Sequence, residues 1–289
     1  MPIMRPRSRR SVGALAYLLI ATIASSAENE KMPKSVIAGG TTLAFVAVGN
    51  RAALAADRVS HYGLAEGSAR ATGATTKVQR LADDLIFGSH GMSGLDSPEG
   101  VPLVDFKTLM VEELEKLQWT ETFPAARIFG DRLKARLVEH ASFGGRNSQA
   151  WDGKGIVEAA IVRCSPAGLE AASITISVSF QELEGRARIL YGSPVVEKVG
   201  TGGGGSTQIF VVTRSDEVQA KLLRALASKE PLKGDYPHLQ DFMTRSDRRL
   251  ATDAELRAVA SDMVRFTADR DTYIGREVDA VSLACGDTP

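Results

Sequence analysis

The sequence predicts an α+β fold or a four-layer α/β/β/α arrangement, not alternating βαβ units. Two observations predict it. Strand-like segments come in blocks and do not alternate singly with helices, and two separate regions carry apolar residues at helical spacing. A third observation, that 289 residues show no internal repeat and no composition break, makes the body of the chain one domain.

The first block is residues 35–57, SVIAGGTTLAFVAVGNRAALAAD, two strand-like runs with Gly49-Asn50 as the turn. A second pair is expected at Lys77–Leu81 and Leu85–Ser89, turning at Asp83-Asp84. Helical spacing then takes over. Leu103, Phe106, Met110, Leu114 and Leu117 keep one apolar face, and Phe129, Leu133 and Leu137 recur at i+4. Residues 144–154 are glycine-rich and polar and read as a loop. Strand character returns at Ile156–Arg163 and Leu169–Phe180. Helices follow near Glu217–Ser228 and through Leu256, Val259, Met263 and Phe266, and Val278–Leu283 closes the chain as a strand.

A composition of 44% hydrophobic and 24% charged residues excludes a disordered tail, a collagen-like fibre and a multi-span membrane protein. Thirty-five basic against 35 acidic residues also removes the basic footprint of a nucleic-acid binder. The charge is unevenly spread. Arg5, Arg7, Arg9 and Arg10 precede an apolar run, Val12–Ala24, and the small residues Ser25, Ser26 and Ala27. A basic head, a short apolar stretch and small residues are the marks of a secretory signal peptide, too short to span a bilayer. Residues 1–27 are read as that signal, 28–40 as a short propeptide and 41–289 as the domain. The alternatives are an uncleaved anchor, or a true start at Met32 with a cytoplasmic product. The exported chain loses four of 35 basic residues and no acidic one, leaving 31 against 35, with no membrane attachment. Cys164 and Cys285 then either pair in an oxidising compartment or remain two separate buried thiols.

Several motifs are missing. Thr201–Thr207, TGGGGST, lacks the lysine of a nucleotide phosphate loop and reads as a flexible turn. His61, His90, His140 and His238 have no metal-ligand spacing, and no G-x-S-x-G occurs. No metal or other cofactor is expected.

The informative stretch is Gly39–Gly94. Gly40-Thr41-Thr42 opens an apolar strand, and Asp57 ends the next one, sixteen residues after Thr41. Lys77 opens a third strand, and Gly91 lies in a glycine-bearing turn fourteen residues further on. Antiparallel neighbours bring the start of one strand beside the end of the next, so Thr41, Asp57 and Lys77 are expected together at one end of a sheet. Taken singly, each has a plainer use: a strand threonine, a turn cap paired with Arg58, a solvated edge lysine, a turn glycine.

Three blocks, GGTTLAFVAVGNRAALAAD, TTKVQRLADDLIFGSHG and RDTYIGREVD, resemble the proteasome β-subunit type of N-terminal nucleophile hydrolases, bacterial ring proteases included. The resemblance covers most of residues 35–283, with about four extra residues before the lysine. It implies cleavage between Gly40 and Thr41, which frees an α-amine beside the threonine hydroxyl. That amine, with a reference pKa of about 7.7–8.0, serves as base. Lys77 assists proton removal, Asp57 holds Lys77, and the Gly91 N–H stabilises the oxyanion. Asp271 falls where the family supports the terminal amine. Ile274 stands where the family has a serine, and a further family serine matches either Ser193 or Ser206. Residues 207–250 are longer than the family's corresponding segment.

The resemblance implies a threonine-type peptidase, assembled as a homo-oligomeric ring and acting on peptides or unfolded proteins. The alternatives are a small-molecule amidase or acylase with the same nucleophile, and a non-catalytic subunit or binding module with Thr41 left unprocessed.

Overall fold

The computed structural model describes residues 42–63, 69–74, 76–91, 94–96, 102–140, 143–144, 153, 155–183, 186–201, 207–213, 215–271 and 274–286. The chain opens with β1 (Thr42–Val48) and β2 (Arg51–Asp57), joined by Gly49-Asn50 with Val48 opposite Arg51. Two short strands, β3 (Val59–Gly63) and β4 (Ala69–Ala74), pair with each other. Next come β5 (Val78–Ala82) and β6 (Leu85–Gly91), and then the small pair β7 (Gly94–Asp96) and β8 (Pro102–Asp105). Helices α1 (Phe106–Glu115) and α2 (Thr122–His140) follow. After β9 (Phe143–Gly144) come β10 (Gly155–Ser165), β11 (Gly168–Leu183), β12 (Arg186–Tyr191), β13 (Val195–Thr201) and β14 (Thr207–Thr213). Helices α3 (Asp216–Ser228), α4 (Pro237–Thr244) and α5 (Asp253–Ala268) precede β15 (Val278–Ala284).

One sheet runs β14-β1-β2-β15, and the other runs β5-β6-β10-β11-β12-β9 with β13 also paired to β11, all antiparallel. The layers follow from where side chains go. In β1 and β2, Leu43, Phe45, Leu54 and Ala56 enter a core shared with Val78, Ile86, Ala160 and Val162 of the second sheet. Their neighbours Ala44, Val46, Ala53 and Ala55 face Leu256, Val259, Met263 and Phe266 of α5. Phe87, Ile161, Ile174 and Ile176, on the other face of the second sheet, meet Met110, Leu114, Phe129, Leu133 and Leu137. Three cores between four layers confirm the expected architecture. They also explain why β1 and β2 read as continuous apolar runs, since both of their faces are covered.

The helical boundary before Phe106 differs from expectation. Leu103 lies in β8, because Pro102 and its neighbours extend to pair with β7, and Leu117 follows the end of α1. Strands β3, β4, β7, β8, β9, β12, β13 and β14 and helix α4 are additions to the expected order. The loop expected at 144–154 lies mostly outside the described residues. Cys164 and Cys285 form a disulfide with Cα atoms 5.2 Å apart, so the paired alternative holds. It joins the two sheets beside the Gly49-Asn50 and Asp83-Asp84 turns, where Cys285 N–H donates to the Asn50 carbonyl and Cys164 N–H to that of Asp84.

Candidate active site

At the opposite end of the sandwich, β1 begins where β2 stops. Leu43 lies across from Ala56, which sets Thr42 beside Asp57. The Thr42 N–H donates to Asp57 Oδ1 at 2.9 Å. Asp57 has no exposed surface, so each lone pair needs a donor inside the protein. Lys77 Nζ stands 3.2 Å from both carboxylate oxygens, and Oδ2 also accepts from the N–H groups of Val59 and Gly275, each at 3.3 Å.

Lys77 lies one residue before β5, in the second sheet, and reaches across to an aspartate of the first. The sequence placed the pair at one end of a single sheet; the two residues come from facing sheets. The Lys77 side chain is only 7% exposed, which removes the solvated-lysine reading, and its ammonium also donates to the Val59 carbonyl at 2.5 Å. Burial pushes its pKa below the ordinary lysine value, and the Asp57 charge opposes that push in part. Arg58 is not the partner of Asp57, since it pairs with Asp279 at 3.4 Å.

Gly91 ends β6, buried, with φ +106°, in the region that disfavours any side chain. It is tied to the lysine through its own strand, because the N–H of Ser89 donates to the Lys77 carbonyl at 2.9 Å.

Asp271 lies in the turn after α5. Its N–H donates to the Thr267 carbonyl at 2.9 Å, and its own carbonyl accepts from Ile274 N–H at 3.1 Å. This turn delivers Gly275 N–H to Asp57. A Cβ at Gly275 would collide with the Val59 side chain, so the close approach depends on glycine. Ile274, beside it in the turn, is a buried apolar residue, 5% exposed.

Three residues absent from the sequence-derived set complete the site. The Thr42 hydroxyl donates to Thr213 at 3.2 Å and shares a 2.8 Å hydrogen bond with Thr267, which lies 2.6 Å from the Val264 carbonyl. All three threonines are buried and link β1, β14 and α5. Ser193 is exposed in the β12–β13 connection, paired through its strands to the second sheet. The residue that stands beside Thr42 from the neighbouring strand is Thr213. Thr41, Gly40 and Ser206 lie outside the described residues.

No family model matches the chain, and no curated protein matches it in sequence. Solved structures do resemble it. One is BPH from Thiobacillus denitrificans in complex with epoxomicin, at 15% identity over 85% of this chain and 99% of that one, with TM-score 0.47. A second is eukaryotic HslV from Trypanosoma brucei, at 18% identity over 84% and 99%, with TM-score 0.37. A third is the Anbu complex from Pseudomonas aeruginosa, solved as a helical assembly, at 9% identity over 84% and 81%, with TM-score 0.48. At these identities no residue role passes from those proteins to this chain.

Proposed function

We propose that this chain is a threonine-type peptidase of proteasome-like fold, matured by its own cleavage between Gly40 and Thr41. One observation carries the reading. A buried lysine–aspartate pair is fastened to the backbone N–H of Thr42, the residue bonded to Thr41. A charged pair taken wholly out of water is costly to maintain, and it concentrates at sites that use it.

In this reading the freed α-amine of Thr41 takes the hydroxyl proton as the oxygen attacks an amide carbon. Lys77, with its lowered pKa, is suited to favour that transfer electrostatically. The Gly91 N–H receives the developing oxyanion. Collapse expels the amine, which leaves with the proton, and a threonyl ester remains. Water, deprotonated by the same α-amine, hydrolyses the ester and restores the hydroxyl. Peptides or unfolded proteins are the proposed substrates, and a homo-oligomeric ring is the proposed assembly. Export after Ala27 is supported by the Cys164–Cys285 bond, which persists in an oxidising compartment.

The test is hydrolysis of an unfolded protein such as reduced casein by the wild type and by Thr41→Ala. The variant should lose both hydrolysis and the cut before residue 41, and Thr41→Ser should keep part of each. Cleavage that persists in Thr41→Ala sinks the reading. Ile274 favours a second reading, a non-catalytic subunit, because an isoleucine gives a terminal amine no hydrogen bond. Under that reading the wild type itself retains the Gly40–Thr41 bond and hydrolyses nothing.

A further inference from the structure

Asp57 is not the only group that holds Lys77. The lysine ammonium stands 3.2 Å from each carboxylate oxygen, and two equal distances place it only on a circle about the carboxylate. The Val59 carbonyl, nearer at 2.5 Å, picks out one part of that circle. A lysine is a compact charge on a flexible four-carbon stem, and its effect on a neighbouring group falls with distance. The place of Val59 therefore governs what Lys77 can do.

Val59 is placed in turn by the connection after α5. That connection runs beside residues 57–59: Gly275 N–H donates to Asp57 Oδ2 at 3.3 Å, and Arg58 N–H donates to the Glu277 carbonyl at 2.9 Å. Val59 N–H donates to the same Oδ2 at 3.3 Å, and β3, which Val59 opens, pairs it with Ala74. The fit between Gly275 and Val59 is tight. A Cβ on Gly275 would overlap Val59 Cγ2, and it would stand 3.0 Å from Val59 Cβ and 3.5 Å from the Val59 backbone nitrogen.

Rotating the valine side chain would move its Cγ atoms but neither the Cβ nor the nitrogen, and a β-branched residue has few χ1 states to use. Relief must come from a backbone shift on one side. A shift of Val59 carries its carbonyl away from Lys77, and a shift of the turn carries Gly275 N–H away from Asp57. Either movement reaches the lysine–aspartate pair. We propose that Gly275 is a positioning residue of the reaction: its missing side chain seats the Val59 carbonyl, which seats the Lys77 ammonium. The consequence for rate rests on the threonine-peptidase reading; the placement of Lys77 does not.

Wild type, Gly275→Ala and the double variant Gly275→Ala with Val59→Ala are compared on a fluorogenic peptide, each below its Tm. A misplacement of about 1 Å costs up to about 10²-fold in rate, so Gly275→Ala should lower kcat about tenfold or more. KM should stay within about twofold, because Lys77 acts on the chemical step. The double variant should recover most of kcat. An unchanged kcat in Gly275→Ala, a loss confined to KM, or a kcat that the second substitution leaves low overturns the proposal. Reduction of the Cys164–Cys285 bond, at the far end of the sandwich, is the stability control; an equal loss of kcat there overturns it too. If Gly275→Ala does not fold, Val59→Ile presses on the same contact and is read the same way. The 13Cε resonance of Lys77, assigned with Lys77→Arg, gives a reading independent of turnover. It should move in Gly275→Ala and return in the double variant, and an unmoved resonance overturns the placement. If the wild type hydrolyses no peptide while the resonance moves and returns, the peptidase reading fails and the placement of Lys77 by Gly275 stands.

Discussion

Replacing Asp57 by alanine removes the acceptor on which the site converges. The carboxylate is fully buried and holds a lysine whose side chain is 7% exposed. Removing one partner of a buried pair costs about 3–5 kcal/mol, because the other charge is left uncompensated. The N–H groups of Thr42, Val59 and Gly275 also lose their acceptor, at about 1 kcal/mol each if no water replaces it. One effect limits the loss. Burial already lowers the pKa of Lys77, so the variant can shed the proton. A net loss of about 4 kcal/mol corresponds to roughly 8–16 °C in Tm for a chain of this size. The sign of the pH dependence follows. In the variant the Asp57 charge no longer opposes desolvation, so Lys77 titrates lower still. Between that pKa and the unfolded value the unfolded state holds more protons, and stability rises with pH. The deficit relative to wild type should therefore shrink from pH 7 toward pH 10. Thermal unfolding followed by circular dichroism reads all of this, and Asp57→Asn combined with Lys77→Met should recover part of the loss. A Tm change below about 3 °C, or a double variant as unstable as the two single effects added, refutes the reasoning.

Further outcomes concern the rest of the frame. Reducing the Cys164–Cys285 bond, which spans 121 residues, should cost up to about 5 kcal/mol by loop-closure entropy; an unchanged Tm with both thiols titratable contradicts this. Because the bond lies at the far end from Asp57, residual activity below the new Tm should be nearly unaffected. Gly275→Ala should cost about 1–3 kcal/mol through its clash with Val59, and Val59→Ala should relieve it in the double variant. At the start of α5, Arg245 and then the Thr252 N–H hold the Glu255 carboxyl at about 2, below its ordinary value. Its stabilisation is complete above the ordinary carboxylate pKa and disappears as pH falls toward about 2. Wild type and Glu255→Gln should therefore converge in urea midpoint in strong acid and differ at neutral pH.

The parts legible in the sequence are those fixed by neighbours. The β1–β2 and β5–β6 hairpins follow from short polar turns between apolar runs, and α2 and α5 from apolar residues three and four apart. Helix α4 was hidden because its cap is not local. Tyr236 offers no side-chain cap, and the buried Asp262 of α5 accepts from His238 and Leu239 N–H instead. Strand β14 went unread in the sequence, and its partner is the first strand of the domain. The site divides the same way. Motif spacing singles out Asp57 and Lys77, though not that they come from facing sheets, whereas Thr213 and Thr267 reach Thr42 from 171 and 225 residues away. Two cysteines 121 residues apart carry no spacing rule that would choose between a bond and two thiols. Ile274 was legible as a departure, but not that Gly275 beside it donates to Asp57.

The central claim is that the site is armed by exposing Thr41. Intact mass of the purified wild-type protein, with N-terminal sequencing, tests it most directly. The account predicts a chain that begins at Thr41, with 29 basic against 33 acidic residues after six and two are lost from the original 35 of each. A chain that begins at Glu28 and keeps the Gly40–Thr41 bond contradicts it.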